Sequence, residues 1–433
     1  MDIIILPIAL LLFAYLAFQR WSALLIGPIV SMFVIIFSRL PMMETMLGPY
    51  MTGTSNYVKN YFLVFLVGAL FGAVYEETKG AEAIAHAIIR VTKGKFTAPI
   101  IMTITGILTL GGISGFVVFF AIYPIALQVF RSSNLTRRLI PAAISAGCWT
   151  WSMTIPGSPS IQNIIPIKDL GTGPMASPVA GFIGAIIEFV LIFVWLEYRA
   201  RKISKTGEGF DPTGLSPEAT AVTDPKDLPH PLLAFIPLAL IIICFNVVGM
   251  AVEAAVTVGI IAAMVLMWKH GVKDKGIGNW ISILNKGGLN STTAILNTAV
   301  VVGFASVVTQ TKGFAMIIDN LINLKMSPLW FVAITVAIAA GAAGSASGGM
   351  SAAFAALKDT FVSMGVSLDH VHRVAVIASG TLDTLPHQGA QITLLNICGM
   401  THKDSYFDIA VTQIIIPFIV LAIIIPIMSM GVF

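Results

Sequence analysis

The stretch 379–396, SGTLDTLPHQGAQITLLN, sets Asp383, Pro386, His387, Gln388 and Gln391 between apolar sequence on both sides. The chain around it has 433 residues, is 57% hydrophobic and only 11% charged, and has a mean hydropathy of +0.90. An ordinary soluble domain has roughly 25% charged residues, so this is an all-α polytopic membrane protein. Its length has to be read as a count of spans, and roughly ten fit. In hydrocarbon every backbone N–H and C=O needs a partner, so a polar, proline-bearing interruption survives only where protein or a water-filled cavity surrounds it. Residues 379–396 therefore read as a membrane helix that breaks at mid-depth, and a break of that kind is the mark of a transport site.

The rest of the chain repeats this feature. Thr78-Lys79-Gly80 recurs as Thr311-Lys312-Gly313, 233 positions later, and Ser114-Gly115 recurs at the same offset as Ser347-Gly348. Thr154-Ile155-Pro156 faces Thr384-Leu385-Pro386 at an offset of 230. Each half reads as two long apolar helices (3–18 and 21–37 against 231–249 and 252–268) and a third (57–77 against 291–310). A short amphipathic stretch suited to the membrane surface follows, 78–92 against 312–325. Then comes an apolar segment broken by small residues, "LGGISG" in one half and "GSASGG" in the other. These segments read as re-entrant hairpins, the alternative being two full crossings each. A broken helix (138–168 against 371–399) and a last span (175–198 against 406–430) complete each half. The expected architecture is two inverted-topology repeats, each with about five spans, one of them broken, plus a re-entrant hairpin. The first repeat is 1–198 and the second 231–433, joined by a polar linker, 199–230, rich in proline and glycine.

Five crossings per half invert the second repeat, and the basic residues agree. Of 25, 18 fall on the side that carries the linker and seven on the other, which places the linker in the cytoplasm and both termini outside the cell (inner) membrane. The start of the chain lacks a basic first segment and a cleavage site, and reads as a first span. Cys148, Cys244 and Cys398 lie in or beside apolar segments without metal-ligand spacing, so packing is their reading and no metal site is expected. The net charge of +4 is accounted for by loop residues and points to no nucleic acid. Neither H-E-x-x-H nor a phosphate-binding loop occurs, so the chain is not expected to be an enzyme or to need a cofactor.

Two breaks and two hairpin tips at matching positions should meet near mid-membrane. Helix N-termini there suit a carboxylate, and freed carbonyls suit a cation. Ser114, Ser345 and Ser347 are placed to cap tip helices, with Gly115 and Gly348 letting a ligand approach the backbone. The first break offers Thr154, Ser158, Gln162 and Asn163; Trp149 and Trp151 beside it suit packing and stacking equally. The second offers Thr384 and Gln388 for substrate. An ionisable residue at membrane depth is functional by default, so Asp383 and His387, four apart, are the expected ion-coupling pair. Two other roles stay open for them: Na⁺ ligation by Asp383, and simple capping of the broken backbone. Glu188, in mid-helix without a counterpart in the other half, fits packing, a subunit interface or transport. His370 and His372 read as solvated histidines of a polar turn. No lysine or arginine occurs within either break, which favours a small organic monocarboxylate over a di- or tricarboxylate.

The motifs "GTLDTLPHQGAQITLLNICGMTHKDSY" and "TIPGSPSIQNIIP", with the hairpin serines, resemble the gluconate permease family, and within it members described as hydroxybutyrate permeases. The wider group is that of ion-coupled organic-anion transporters built from inverted repeats. The resemblance implies a symporter that moves an organic acid with H⁺ as coupling ion, or less often with Na⁺. It also implies a homodimer working by an elevator motion, in which hairpins and broken helices slide against a scaffold part. Carried over by position, Ser114, Thr154, Ser347, Asp383, Thr384 and His387 would line the site. The apolar flanks Ile161, Ile164, Ile165, Leu385, Leu394 and Leu395 depart from a sugar-acid reader. A channel is the rival class, although it has no need of a titratable pair beside its pore.

Overall fold

The protein, as a computed structural model, is described over residues 2–19, 21–110, 115–158, 160–215, 225–271, 276, 278–322 and 326–431. Ser114, expected at the first hairpin tip, lies outside these residues. Among them the chain is helical without strands. The first half forms α1 (Asp2–Phe18), α2 (Ala23–Phe37), α3 (Met42–Glu77), α4 (Gly80–Thr92), α5 (Thr97–Leu110) and α6 (Gly115–Ser132). It continues with α7 (140–154), α8 (Ile161–Leu170) and α9 (Pro178–Lys205). The second half forms α10 (Pro231–Asn246), α11 (Val252–Leu266), α12 (Gly278–Val308), α13 (Lys312–Ile322), α14 (Pro328–Ala343) and α15 (Ala346–Ser363). It ends with α16 (Leu368–Leu382), α17 (Gly389–Ile397) and α18 (His402–Ser429). The order in one half repeats in the other, from α1 against α10 to α9 against α18.

The packing obeys the same correspondence. α1 lies on α13 as α10 lies on α4, α2 on α12 as α11 on α3, and α8 on α15 as α17 on α6. Equivalent helices also meet each other. In the pair α3 and α12, Gly53 lies against Val302 and Ser306, Thr54 against Gly303, and Leu70 against Gly287. Rising numbers in one helix meet falling numbers in the other, so the two are antiparallel. In α9 and α18, Gly184 meets Val420 and Ile424 while Arg199 meets Asp408, again antiparallel. Among the described residues these four helices, of 36, 31, 28 and 28 residues, are the ones long and apolar enough to cross a membrane by length and composition. Equivalent crossing helices that run antiparallel are inverted relative to one another.

Several boundaries differ from expectation. α3 and α12 begin well before 57 and 291, because polar residues in 42–56 and 278–290 are tolerated in helices that project past the apolar zone. α9 continues to Lys205, so the first residues assigned to the linker are helical. The linker does not float free. The Thr136 hydroxyl donates to Glu208 Oε1 at 2.7 Å, Arg137 Nη2 donates to the Thr213 carbonyl at 2.7 Å, and the Phe210 N–H donates to Asn134 Oδ1 at 3.0 Å. It is thereby tied to the turn between α6 and α7.

α14 and α15 form a tight hairpin: a Cβ on Gly349 would stand 2.1 Å from Ala340 Cα. The turn is made by Gly344, at φ +58°, and by Ser345 in extended conformation. Arms α5 and α14 have 14 and 16 residues, about 21 and 24 Å at 1.5 Å per residue, against a hydrocarbon core of about 30 Å. α2 and α11, at 15 residues each, are equally short, so length alone does not separate a hairpin from a crossing.

The α3–α12 crossing depends on glycine. A Cβ on Gly303 would lie 2.3 Å from Thr54 Oγ1 and 2.9 Å from the Tyr50 carbonyl, whereas nothing lies within 4 Å of one on Gly288 in the same helix. Gly303→Leu should therefore destabilise the detergent-solubilised protein by about 1–3 kcal/mol through overpacking, seen as a lower thermal midpoint, while Gly288→Ala should leave the midpoint unchanged or raised.

Candidate substrate and ion site

The second break forms where α16 stops at Leu382 and α17 starts at Gly389, with Pro386 unable to continue the ladder. Asp383 is buried there. Its Oδ2 accepts from Gln388 Nε2 at 2.6 Å, its Oδ1 accepts from the Thr384 hydroxyl at 3.2 Å, and its carboxylate faces the backbone N–H of Ala346. Ala346 is the first residue of α15, so Asp383 supplies negative charge to the helix N-terminus at the hairpin tip. Ser345 caps the same helix, accepting from the Gly348 N–H at 3.1 Å. Ser347 does not cap; it sits inside the first turn, half-buried, with its hydroxyl 3.5 Å from that of Ser345. Gly348 is exposed.

His387 stands apart from Asp383. It is buried, with its ring edge-on to Phe13 of α1 and Phe304 of α12 at centroid distances of 5.8 and 6.2 Å, and Gly344 of the tip packs against it. No hydrogen bond joins it to Asp383, and its Nε2 has no partner. The break between the two residues takes them off a common helix face, so four-residue spacing does not make a pair here. His387 instead contacts α1 and α12, while Asp383 holds the tip.

The first break is held from the other half of the chain. α7 ends at Thr154 and α8 begins at Ile161, with Gly157 at φ +81° between them. Arg373 of α16, 0% exposed, reaches into it. Nη1 donates to the Thr154 carbonyl at 3.0 Å and to Asn163 Oδ1 at 3.1 Å; Nε and Nη2 donate to the Ala176 carbonyl at 3.3 and 3.1 Å. Asn163 in turn donates from Nδ2 to the Met153 carbonyl and to Ser160 Oγ, both at 2.9 Å. The last carbonyls of α7, its negative end, are thus met by a guanidinium and an amide. Two expectations change. A cation does occupy the first break, delivered by a helix 200 positions on. And His372 is no solvated turn residue: it is buried, with Nδ1 2.7 Å from the Thr172 hydroxyl and Nε2 3.3 Å from Asn163 Oδ1.

Of the other predicted residues, Thr154 and Ser158 are buried with unpartnered hydroxyls, Gln162 is half-buried on α8, and Asn163 spends its amide on protein groups. Thr384 and Gln388 surround Asp383, and the Gln388 Oε1 has no partner. Gly115 opens α6 against Trp149 and Cys148, so the start of that arm lies beside α7.

A third cluster was not anticipated. α7 and α18 each contain one π turn, Gly147–Trp151 and Val411–Ile415, a distortion common at functional sites. They are joined by Trp149 Nε1 donating to Gln413 Oε1 at 2.6 Å; that oxygen also accepts from Gln391 Nε2 at 2.6 Å, and Gln413 Nε2 donates to Ser145 Oγ at 2.6 Å. The signal lay in Gln391 and Gln413, two amides in or beside long apolar runs.

Two clefts flank α17 on the linker side. One of about 430 Å³ lies between Glu76, Lys79, Glu82 and Lys286 on one wall and Tyr123, Gln128 and Asn396 on the other, with linker residues Gly214 and Leu215 also lining it. The second, of about 250 Å³, lies between Ala17, Trp21 and Ser22 at the α1–α2 turn and Ile392, Asn396 and His402. Neither is lined by the residues of the two breaks named above.

No protein-family model matches the chain. It is similar to a protein of Bacillus subtilis (strain 168) described as "Uncharacterized transporter YxjC", at 33% identity over 463 aligned positions covering 96% of each chain.

Arg373→Ala would leave the Thr154 and Ala176 carbonyls without the partner that closes the break, at about 1–3 kcal/mol each, and Asn163 Oδ1 with His372 alone. A large drop in thermal stability of the solubilised protein is expected. Arg373→Lys should recover only part of it, because an ammonium cannot span three acceptors as a planar fork does.

Proposed function

We propose that this chain, which belongs to the same family as that Bacillus subtilis transporter and is itself a multi-pass membrane transporter, carries a small organic monocarboxylate in symport with H⁺. The finer family reading is the gluconate permease family, supported by the motifs at the two breaks. A short hydroxy acid or a sugar acid is the substrate class. The two repeats, 1–198 and 231–433, would work by an elevator motion within a homodimer, with linker 199–230 in the cytoplasm and both termini outside.

The observation that carries this reading is the placement of Asp383. An ionisable group buried at a helix break, bonded to a hairpin tip through Ala346 and to the Thr384 and Gln388 side chains, ties proton occupancy to the shape of the tip. Protonation would weaken its hold on the N-terminus of α15, and a substrate carboxylate suits the same N–H groups. Arg373 does not displace the monocarboxylate reading. Four of its five N–H donors are already committed to protein oxygens, so it contributes charge but little free hydrogen-bonding capacity.

Alternating access finds support in where the two-fold relation fails. α3 packs on α6 and α12 packs on α17, while the counterparts α12–α15 and α3–α8 have no comparable packing among the described residues. Exchanging the two sets would move the hairpins and breaks past α3 and α12 and close the linker-side clefts. Such an exchange is how inverted repeats generate two opposite-facing states.

The test is uptake by proteoliposomes of labelled 3-hydroxybutyrate and gluconate under an imposed pH gradient, with a sodium gradient as the comparison. One coupled proton per anion and one pH unit should give about tenfold accumulation. Accumulation driven by sodium alone would replace H⁺ with Na⁺ as coupling ion; equilibration without accumulation would make the protein a channel. Asp383→Asn and His387→Ala should each abolish gradient-driven uptake while the protein still elutes as a folded species. Normal accumulation by both would remove them from the mechanism.

A further inference from the structure

We propose that Glu188 is a second proton-binding site, a carboxyl that takes up and releases H⁺ at the first break; this rests on the symport reading above. The residue lies in the middle of α9, on the face that also buries Gly184, Ala185 and Ile192, so it points into the protein and is 1% exposed. One of its carboxyl oxygens has no hydrogen-bond partner. Its neighbour is the side chain of Thr154, the last residue of α7, which also lies against Gly184 one turn earlier on α9. Buried polar groups are nearly always paired, and a carboxyl that meets one hydroxyl and leaves its Oε2 bare has room for a small ligand.

The surroundings limit which ligand that is. α9 packs against α18, α5 and α7. α5 and α7 contain no ionisable acid or base other than Cys148, and α18 presents Val420 and Ile424 at Gly184. Of the two acids of α18, Asp404 caps its own helix, accepting from the Thr401 N–H and hydroxyl, and Asp408, further along α9, is occupied by Arg199 Nε at 2.6 Å and Trp195 Nε1 at 3.1 Å. From α16, Arg373 reaches the carbonyl of the same Thr154, and His372 lies behind Asn163. Arg373 itself is bonded to neutral oxygens only. A carboxylate with a free lone pair this deep is costly unless neutralised, and no cationic side chain bonds it, so a proton is the neutralising ligand. Packing does not explain the residue. Its counterpart segment, 416–429 of α18, fills the equivalent place without any acid, and an apolar side chain of similar size would be at least as stable.

Thr154 then links two charges: its carbonyl holds Arg373 and its side chain adjoins Glu188. When Glu188 gives up its proton, the carboxylate and the guanidinium attract across the break and draw α9 and α16 together on α7; when it regains the proton, that attraction is lost. Proton binding would thus be felt in the geometry of the first break, as occupancy of Asp383 is felt at the second.

Infrared difference spectra of the full-length protein in lipid, between acidic and alkaline buffer, test this directly and need no substrate. The expected result is a protonated-carboxyl band that disappears in Glu188→Gln and is displaced in Glu188→Asp; an unaltered band pattern in both overturns the proposal. The aspartate variant decides if the glutamine variant does not fold. In the uptake assay, Glu188→Gln should lose the roughly tenfold accumulation per pH unit expected of one coupled proton, and Glu188→Asp should restore it with a shifted pH profile. Wild-type accumulation retained by Glu188→Gln at every pH overturns the coupling role. If wild type itself never accumulates either probe, the symport reading falls, while the spectra still decide whether Glu188 exchanges a proton.

Discussion

Backbone left unpaired inside a membrane has to be bonded by something, and in this protein the first break and the hairpin tip are met by opposite charges. At the end of α7 the freed groups are carbonyls, and Arg373 meets them. At the start of α15 they are N–H groups, and Asp383 meets them. Both choices follow from the direction of the helix dipole. Each charged residue is in turn tolerated at depth because the helix end it faces replaces the water it has lost. Neither the break nor the charge would be stable without the other.

The arrangement also fastens the two halves together. Arg373 belongs to the second half but closes the break of the first, with Asn163 and the Ala176 carbonyl as the other ends of the clasp. Gly380, further along the same helix, lies against Met153 and the Trp149 carbonyl, and Gln413 joins the π turns of α7 and α18. Broken helices α7 and α16 thus pack together, and α9 and α18 pack against them. At the second break, His387 lies against Phe13 of α1 and Phe304 of α12 through ring contacts.

Much of this was legible in the sequence, because the features concerned are local. Helix ends fell within a few residues of expectation where Pro, Gly or Ser punctuates them, as at Ser345, and the offset of 233 gave the repeat since both copies keep Thr-Lys-Gly at the same bend. Partners distant in sequence were not legible. Arg373 sits among loop-like residues, Asp369 and His370, and nothing local reveals that α16 carries it into the fold by more than a turn. That no hydrogen bond joins Asp383 to His387 was not legible for a related reason: i, i+4 proximity presumes an unbroken helix, yet the break that made these residues interesting lies between them.

That separation assigns the two residues different work. Asp383 is bonded only to groups that would travel with it: the hairpin tip, Thr384 and Gln388. His387 lies against Phe13 and Phe304, side chains of helices that would stay in place. A shift of the broken helices relative to α1 and α12 would leave the bonds of Asp383 intact and remove the ring contacts of His387, while Gly344 of the tip stayed against it. Under the proposed motion Asp383 is suited to register what is bound, and His387 to register where the broken helices stand. The aromatic contact of His387 would then hold on one side of that motion only, and its ring would be the group through which position and proton occupancy become linked.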